Sequence, residues 1–308
     1  MTAVAHSRRN GTGPPGAARV AVIAHRRKTL GGGLPELRRY LQSAGVTDPQ
    51  WFEVPKSKKA PKQARAAVKA GAELLLVWGG DGMVQRCIDA VSDSDVTIGV
   101  IPAGTANLLA RNLGIPHDLG EAVEIALHGE SRRIDLGVVN GEHFAVMAGA
   151  GFDARMIDDA DRASKARLGS LAYVRTGAAA VRADAEPVHV LVDGVTFFEG
   201  AASCVLVGNV PRATGGLVVF NDARPDDGML DVGVVTAEGA VQWLRVLTRV
   251  ALHRGQTSPF VRTLQGRTVD VRFDRPVVYE LDGGTRPATD RLRFEVKPAA
   301  ISVRVGGR

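Results

Sequence analysis

Cysteine is nearly absent: Cys87 and Cys204 are the only two in 308 residues, far apart and each in apolar surroundings. That excludes a disulfide framework and the paired spacing of zinc ligands, and it predicts two buried free thiols in a reducing cytosol. No apolar run approaches the ~18 residues that cross a bilayer, so any work at a membrane is expected from its surface. The segment before residue 19 carries Arg8, Arg9, Gly11, Gly13, Pro14 and Pro15 without an apolar stretch, and it reads as a disordered tail rather than a signal peptide. Aromatic residues make up only 5%. Basic stripes interleaved with aromatics are missing, so nucleic acid is not an expected partner. Neither a Walker lysine motif nor Gly-x-Gly-x-x-Gly occurs, which disfavours ordinary P-loop and dinucleotide folds. Lysine is scarce too, at eight of the 39 basic residues.

Arginine therefore carries the basic charge, and it is the side chain suited to forked phosphate contacts. A net charge of +6 and a pI near 9.6 fit an anionic partner, whether nucleotide or acidic lipid surface. Hydrophobic residues at 45% and charged residues at 23% describe an ordinary soluble globular chain, with length for about two domains.

The first half alternates strand and helix. Strands are predicted at 20–24, 50–54, 74–78 and 97–101, and helices at 34–44, 60–70 and 83–91. This alternation implies an α/β domain with a parallel sheet. After Gly129 the pattern changes to closely spaced strands at 134–139, 143–147, 188–192, 195–199, 202–208, 229–235, 268–273 and 276–281. Asn140-Gly141 and Asp193-Gly194 supply hairpin turns, and helical stretches fall at 162–183 and 237–250. An antiparallel β-sandwich is expected from about residue 134 to 285, after an α/β domain at 19–133.

The chemistry concentrates in two strand-to-helix turns. Leu74 to Trp78 is a wholly apolar strand followed by Gly79-Gly80-Asp81-Gly82 and a helix, a place where backbone can approach a phosphate at a helix N-terminus. Ile98 to Ile101 leads through Pro102-Ala103-Gly104-Thr105-Ala106-Asn107 into a second helix, for which Thr105 is the expected cap and on which Asn107 and Arg111 share a face. Both turns fall at the C-terminal edge of a parallel sheet, where α/β proteins bind ligands.

These two motifs resemble those of the diacylglycerol kinase catalytic family, bacterial lipid kinases related to sphingosine and ceramide kinases. Ile134-Asp135-Leu136-Gly137 and the run from Ala148 to Asp153 resemble that family's entry into its second domain. Arg224 to Met229 resembles its metal loop, and Leu281-Asp282-Gly283-Gly284 its C-terminal catalytic loop. The matches run in order along nearly the whole chain. The resemblance implies ATP in a cleft between an α/β domain and a β-sandwich. It also implies that the last strands, 291–296 and 301–305, return to the first domain as part of 286–308. Gly79, Gly80, Asp81, Gly82, Gly104 and Thr105 would meet the nucleotide, with Asn107 nearby. Asp227 would ligate Mg²⁺ by its side chain, with Arg224 and Met229 offering carbonyls, an all-oxygen set suited to that ion.

The chain departs from the family in places. Its first strand ends His25-Arg26-Arg27-Lys28 instead of Asn-Pro. Met83, Gln85 and Arg86 stand where the family has Thr, Asn and Glu. Gly284 replaces the glutamate expected to accept the substrate proton, leaving Asp282 and, two residues earlier on an extended segment, Glu280 as candidate bases. The apolar helix near 241–252 and Thr214-Gly215-Gly216 could border an acyl groove. Lys56 to Lys59, Lys62 and Arg26 to Lys28 could face an anionic membrane. The expected function is ATP-dependent phosphorylation of a lipid alcohol, diacylglycerol-like or a long-chain base, by a cytoplasmic protein peripheral to the inner membrane face. A homodimer is compatible with this reading. The alternatives are an NAD kinase-like enzyme and a catalytically impaired nucleotide-binding regulator or lipid sensor.

Overall fold

The computed structural model describes residues 19–151, 185–213, 217–252 and 254–307. The tail before residue 19, the helix expected at 162–183, the end of the run at Phe152-Asp153, and Thr214-Gly215-Gly216 lie outside the described residues.

Strands β1 (Val20–His25), β2 (Gln50–Val54), β3 (Leu74–Gly79) and β4 (Thr97–Pro102) form a parallel sheet in the order β2-β1-β3-β4. Every residue of β3 is buried, which accounts for its unbroken apolar run. Helices α1 (Gly33–Ser43) and α2 (Ala60–Lys69) bury Leu37 and Leu41, and Ala60, Ala64 and Ala67, respectively. Helices α3 (Asp81–Val91) and α4 (Leu108–Asn112) follow β3 and β4. The sequence reading had no helix at α5 (Leu119–His128), although Asp118 accepts the Glu121 amide at 3.0 Å and caps it.

The second half is antiparallel. It comprises β5 (Glu130–Val139), β6 (Glu142–Phe144), β7 (Met147–Ala150), β8 (Glu186–Val192), β9 (Val195–Ala202), β10 (Cys204–Gly208), β11 (Leu230–Val235), β12 (Val261–Gly266), β13 (Thr268–Leu281) and β14 (Gly284–Val305). Helix α6 (Gly239–Ala251) lies between β11 and β12. The parallel-then-antiparallel class thus matches expectation. Asn140-Gly141 and Asp193-Gly194 both turn through left-handed backbone, as two-residue hairpins require. The strands expected at 268–273 and 276–281 are one, β13, whose register with β14 shifts between Arg272 and Val277.

Two large hydrophobic cores result, with a smaller cluster under α6, and β5 and β14 run through both large cores. Ile134, Leu136, Ala300, Ile301, Val303 and Val305 belong to the core of the parallel sheet. Val139, Leu292 and Phe294 belong to the antiparallel core. The chain therefore returns to the first core at Ala300, not at 286, and Arg291–Val296 stays with the second. The reason is a kink: the β5–β14 register shifts between Lys297 and Ile301, and only past it does β14 lie beside β4, pairing Ser302 with Thr97.

The kink contains Ala299 at φ +47°, a left-handed conformation costing roughly 1–2 kcal/mol outside glycine. Buried Asp135 holds it. Its Oδ1 accepts the Ala299 amide at 2.7 Å and its Oδ2 the Gly228 amide at 2.6 Å, while Arg133 Nη1 donates to the Ala299 carbonyl at 2.9 Å. Asp135→Ala strands two partly buried amides, so urea unfolding should show a loss of about 2–4 kcal/mol. An unchanged midpoint would mean that the kink holds itself.

Candidate active site at the junction of the two cores

The two glycine turns pack against each other. A Cβ on Gly104 would lie 2.4 Å from Gly80 Cα and 2.6 Å from Asn107 Oδ1, and one on Gly79 would lie 2.9 Å from Met83 Sδ. These glycines are demanded by neighbouring protein. Gly82 differs: it is exposed in the first turn of α3, and its Cβ would meet nothing within 4 Å. It leaves room for a ligand at the α3 N-terminus.

Thr105 is exposed and does not cap α4, because the chain takes two more residues before the helix begins at Leu108. Asn107 is left-handed (φ 48°) and buried, so it shares no helical face with Arg111. Its Oδ1 accepts the Gly104 amide at 3.0 Å, and its Nδ2 donates to the Pro102 and Gly104 carbonyls at 3.2 and 3.0 Å. Asn107 shapes the turn from within. Asp81 Oδ1 instead takes the Leu109 amide at 3.4 Å. One carboxyl thus begins α3 and covers the start of α4, leaving α3 as the open helix end. Burial pushes the Asp81 carboxyl above its ordinary range, against the opposing pull of the Leu108 and Leu109 amides.

Asp282 enters from the second core. It and Gly283 form the left-handed turn between β13 and β14 (φ 45° and 76°), so Asp282 is not on an extended segment and shares no strand face with Glu280. Its Oδ2 accepts the Ala145 amide at 2.9 Å, and its Oδ1 accepts the Val146 and Met147 amides at 3.0 and 2.9 Å. Three of roughly four acceptor positions are filled. Burial pushes this carboxyl up to about 7; the three amides oppose the shift and the charge of Asp81 adds to it. Glu280 lies opposite Gly149 and Thr285 in the ladders, and its charge adds to the burial that raises the Cys204 thiol.

No carboxyl stands at Gly284. A Cβ there would lie 2.8 Å from Arg286 Nη1. Arg286 is occupied: Nε donates to Glu142 Oε2 at 2.7 Å, Nη2 to Glu142 Oε1, and Nη1 to the Gly284 carbonyl at 2.8 Å. Buried Gln85 of α3 donates to the His143 carbonyl at 2.7 Å and to Glu142 Oε1 at 3.4 Å. A residue that departs from the family pattern therefore ties the helix behind the glycine turn to the second core. Met83 fills the first core. His25 Nδ1 accepts the Arg27 amide at 3.2 Å, and Trp78 Nε1 donates to the Lys28 carbonyl at 3.2 Å, so the loop after β1 is folded onto β3.

In the Asp-Asp-Gly loop, Asp227 Oδ1 accepts the Met229 amide at 3.0 Å. Burial raises the Asp227 carboxyl, with Asp135 and Asp226 adding to the shift. Burial likewise raises Asp231 to about 6, with Asp227 and Asp222 adding. Among the described residues no three His, Cys, Asp or Glu side chains are arranged to chelate a metal, so a cation here would rest on one carboxylate and main-chain carbonyls. A donor set of oxygens in a crowd of like charge fits a hard divalent ion. Sequence reasoning gave no role to Asp135, although it lies in a quoted motif, and it missed Asn209. The Asn209 Nδ2 bridges the Asp135 and Ala145 carbonyls at 2.8 and 3.2 Å, joining the Asp-Asp-Gly side to the amides that hold Asp282.

The two kinds of glycine separate by experiment. Gly104→Ala should cost about 1–3 kcal/mol by overpacking, seen as a lower urea midpoint, whereas Gly82→Ala should leave stability within about 0.5 kcal/mol. Equal losses would show that the turns do not pack as described.

Comparison with known proteins covers nearly all of the chain. Residues 21–139 match the diacylglycerol kinase catalytic domain, and residues 146–305 match the YegS C-terminal NAD kinase beta sandwich-like domain. Proteins named "Probable lipid kinase YegS-like" from Enterobacter sp. (strain 638) and Yersinia pestis (strain Pestoides F) are 28% and 29% identical over 253 and 256 residues. Each match spans 80% of this chain and 82% or 83% of the relative. A Bacillus anthracis str. Sterne structure carrying a diacylglycerol kinase description superposes at TM-score 0.80 with 21% identity, covering 98% of this chain and 99% of that one. An NAD kinase from Archaeoglobus fulgidus in complex with ATP shares the fold more distantly, at TM-score 0.52 and 12% identity over 92% of this chain and 93% of its own. The two domain models follow one another in the same order as the two cores, and the chain belongs to the diacylglycerol kinase catalytic-domain family of lipid kinases.

Proposed function

We propose that this chain transfers the γ-phosphoryl group of ATP to a hydroxyl of a diacylglycerol-like or long-chain-base lipid, with Mg²⁺ as cofactor. The observation that carries this reading is that Asp282, raised to about 7, feels the charge of Asp81, the first residue of α3 at its open glycine start. Phosphoryl transfer asks for alignment, neutralisation of charge and an acceptor for the hydroxyl proton. The positive end of the α3 dipole and the room left by exposed Gly82 favour a phosphate there. Thr105 is exposed on the neighbouring turn, available to the same ligand. Asp282 is the proton acceptor on this reading: a carboxyl near neutrality matches the working range of a general base. When bound, Mg²⁺ supplies positive charge to the phosphates. Asp227 would hold it with the carbonyls of Arg224 and Met229. The exposed Lys56, Lys58 and Lys59 favour an anionic membrane surface as a peripheral partner.

A second reading, an impaired nucleotide-binding regulator, is favoured by one observation: Arg286 stands beside Gly284, where the family places its acid. Radiolabelled ATP offered with diacylglycerol, monoacylglycerol, sphingosine and NAD separates the possibilities. The expected product is a lipid phosphate, with turnover falling below about pH 7 as Asp282 protonates and dropping about 10²-fold or more in Asp282→Asn. Labelled NAD would overturn the lipid reading. Transfer by Gly284→Glu but not by the parent would establish the regulator.

The metal reading has its own test. Asp231 titrates at about 6 in the folded chain, above its unfolded value, so the fold loses stability as pH climbs from about 4 through 6. A cation at the loop offsets that loss only where the carboxylates are ionised. Mg²⁺ should therefore raise Tm more near pH 8 than near pH 5, and Asp227→Ala should remove the difference. An Mg²⁺ response that ignores pH or the substitution would make the loop a plain turn.

A further inference from the structure

Helix α6 turns an unusual face outward. Its inner side packs Trp243 and Val246, with Leu247 and Val250, against Cys204, Val235 and Ala237. The exposed positions from Val241 onward are Val241, Leu244, Arg245, Thr248, Arg249 and, just past the end, Leu252. At 3.6 residues per turn these six fall within an arc of about 140°. Val241, Leu244 and Leu252 are 64%, 61% and 63% exposed. An outward helix face in a globular domain is ordinarily polar and charged of both signs. Residues 239–252 contain no Asp, Glu or Lys, and their charges are Arg245 and Arg249. Arg254, also exposed, continues the basic edge. Arg249 is anchored by donating to the Thr257 carbonyl, which fixes it at the border of the apolar row.

We infer that this face of α6 docks on an anionic lipid bilayer, Val241, Leu244 and Leu252 entering the interface and Arg245, Arg249 and Arg254 meeting lipid phosphates. Charge complementarity selects the occupant. Apolar residues bordered by arginine, with no acid in the helix past its exposed N-cap Glu238, suit an anionic headgroup layer over an apolar interior. Large apolar residues exposed together on one helix face mark an interaction site. The inference rests on the lipid-kinase reading for its purpose, since a lipid alcohol dissolved in a bilayer has to be reached from the surface. It assigns that approach to a surface of the second domain separate from the Lys56–Lys59 cluster.

The test uses the full chain with vesicles of phosphatidylcholine alone or with phosphatidylglycerol. Co-sedimentation should require phosphatidylglycerol, and Leu244→Glu with Leu252→Glu should weaken it at least tenfold, with circular dichroism and Tm unchanged. Arg245→Glu should lessen the dependence on phosphatidylglycerol. Both variants should phosphorylate a monomeric short-chain diacylglycerol as the parent does. A parent that ignores vesicles, or a double variant that binds them equally, overturns the docking face. So does a parent dimer in sedimentation equilibrium that the double variant abolishes, because a second copy then covers this face. Vesicle binding without phosphorylation of any lipid would sink the kinase reading and leave the docking face standing. Phosphorylation of the short-chain lipid without vesicle binding would do the reverse.

Discussion

The candidate site depends on the hydrogen-bonded pairing of β5 with β14. Asp81 belongs to a turn of the first core and Asp282 to a hairpin of the second, so their relative placement is only as firm as the link between the cores. That link is main chain. β14 pairs with β5 on both sides of its kink, and the hairpin holding Asp282 is the start of the same strand. A shift of one core against the other would break ladder hydrogen bonds, whereas a side-chain interface could slide. Asp135 sits at the crossing and binds amides from two distant segments, so the kink, the Asp-Asp-Gly loop and the strand pair form one connected unit.

Much of this was legible. Hairpins announced by Asn-Gly and Asp-Gly folded as hairpins because both residues tolerate left-handed backbone. The apolar run at 74–78 became a fully buried strand because period and length left little else. Two-domain order and family followed from motifs in sequence. What was not legible depends on tertiary neighbours. Gly80 and Gly104 look like phosphate glycines, yet their backbones press together: Gly80 excludes a Cβ on Gly104, and Gly104 crowds one on Gly80. Thr105 has the chemistry of a cap, but Asp81 reaches across from another helix and takes the position. Glu280 and Asp282 have the spacing of one strand face, and the left-handed turn at Asp282 separates them. Gln85 and Glu142 carry no local signal at all, because their partners lie more than fifty residues away.

Glycine illustrates the general difficulty. Four glycines in two motifs look interchangeable, yet a side chain on Gly79 is blocked by Met83, one on Gly104 by Gly80, one on Gly80 is crowded by Gly104, and one on Gly82 meets nothing in the protein. Only the last leaves an opening, and a ligand is the natural reason for keeping it small. A family pattern records that glycine is needed without saying by whom. The structure distinguishes the needs, and it narrows the open helix end from two to one.

Charge completes the argument. The chain is basic overall, yet its junction holds Asp81, Asp135, Asp227, Asp231 and Asp282. Burial raises four of them, Asp81, Asp227, Asp231 and Asp282, in a direction that disfavours ionisation, and a neighbouring aspartate's charge adds to the shift at the last three. Arg286, the cation beside Gly284, is held by Glu142 and by main-chain carbonyls, so its charge is already balanced. A triphosphate brought to such a place meets a group of acids. On the proposed reading, attraction has to come from the amide end of α3 and from divalent cations, and the acids that repel bare phosphate are the groups that favour such cations. On the same proposed reading basic surface residues serve the lipid side, where the anion would be a membrane and arginine at an apolar border is the suitable contact.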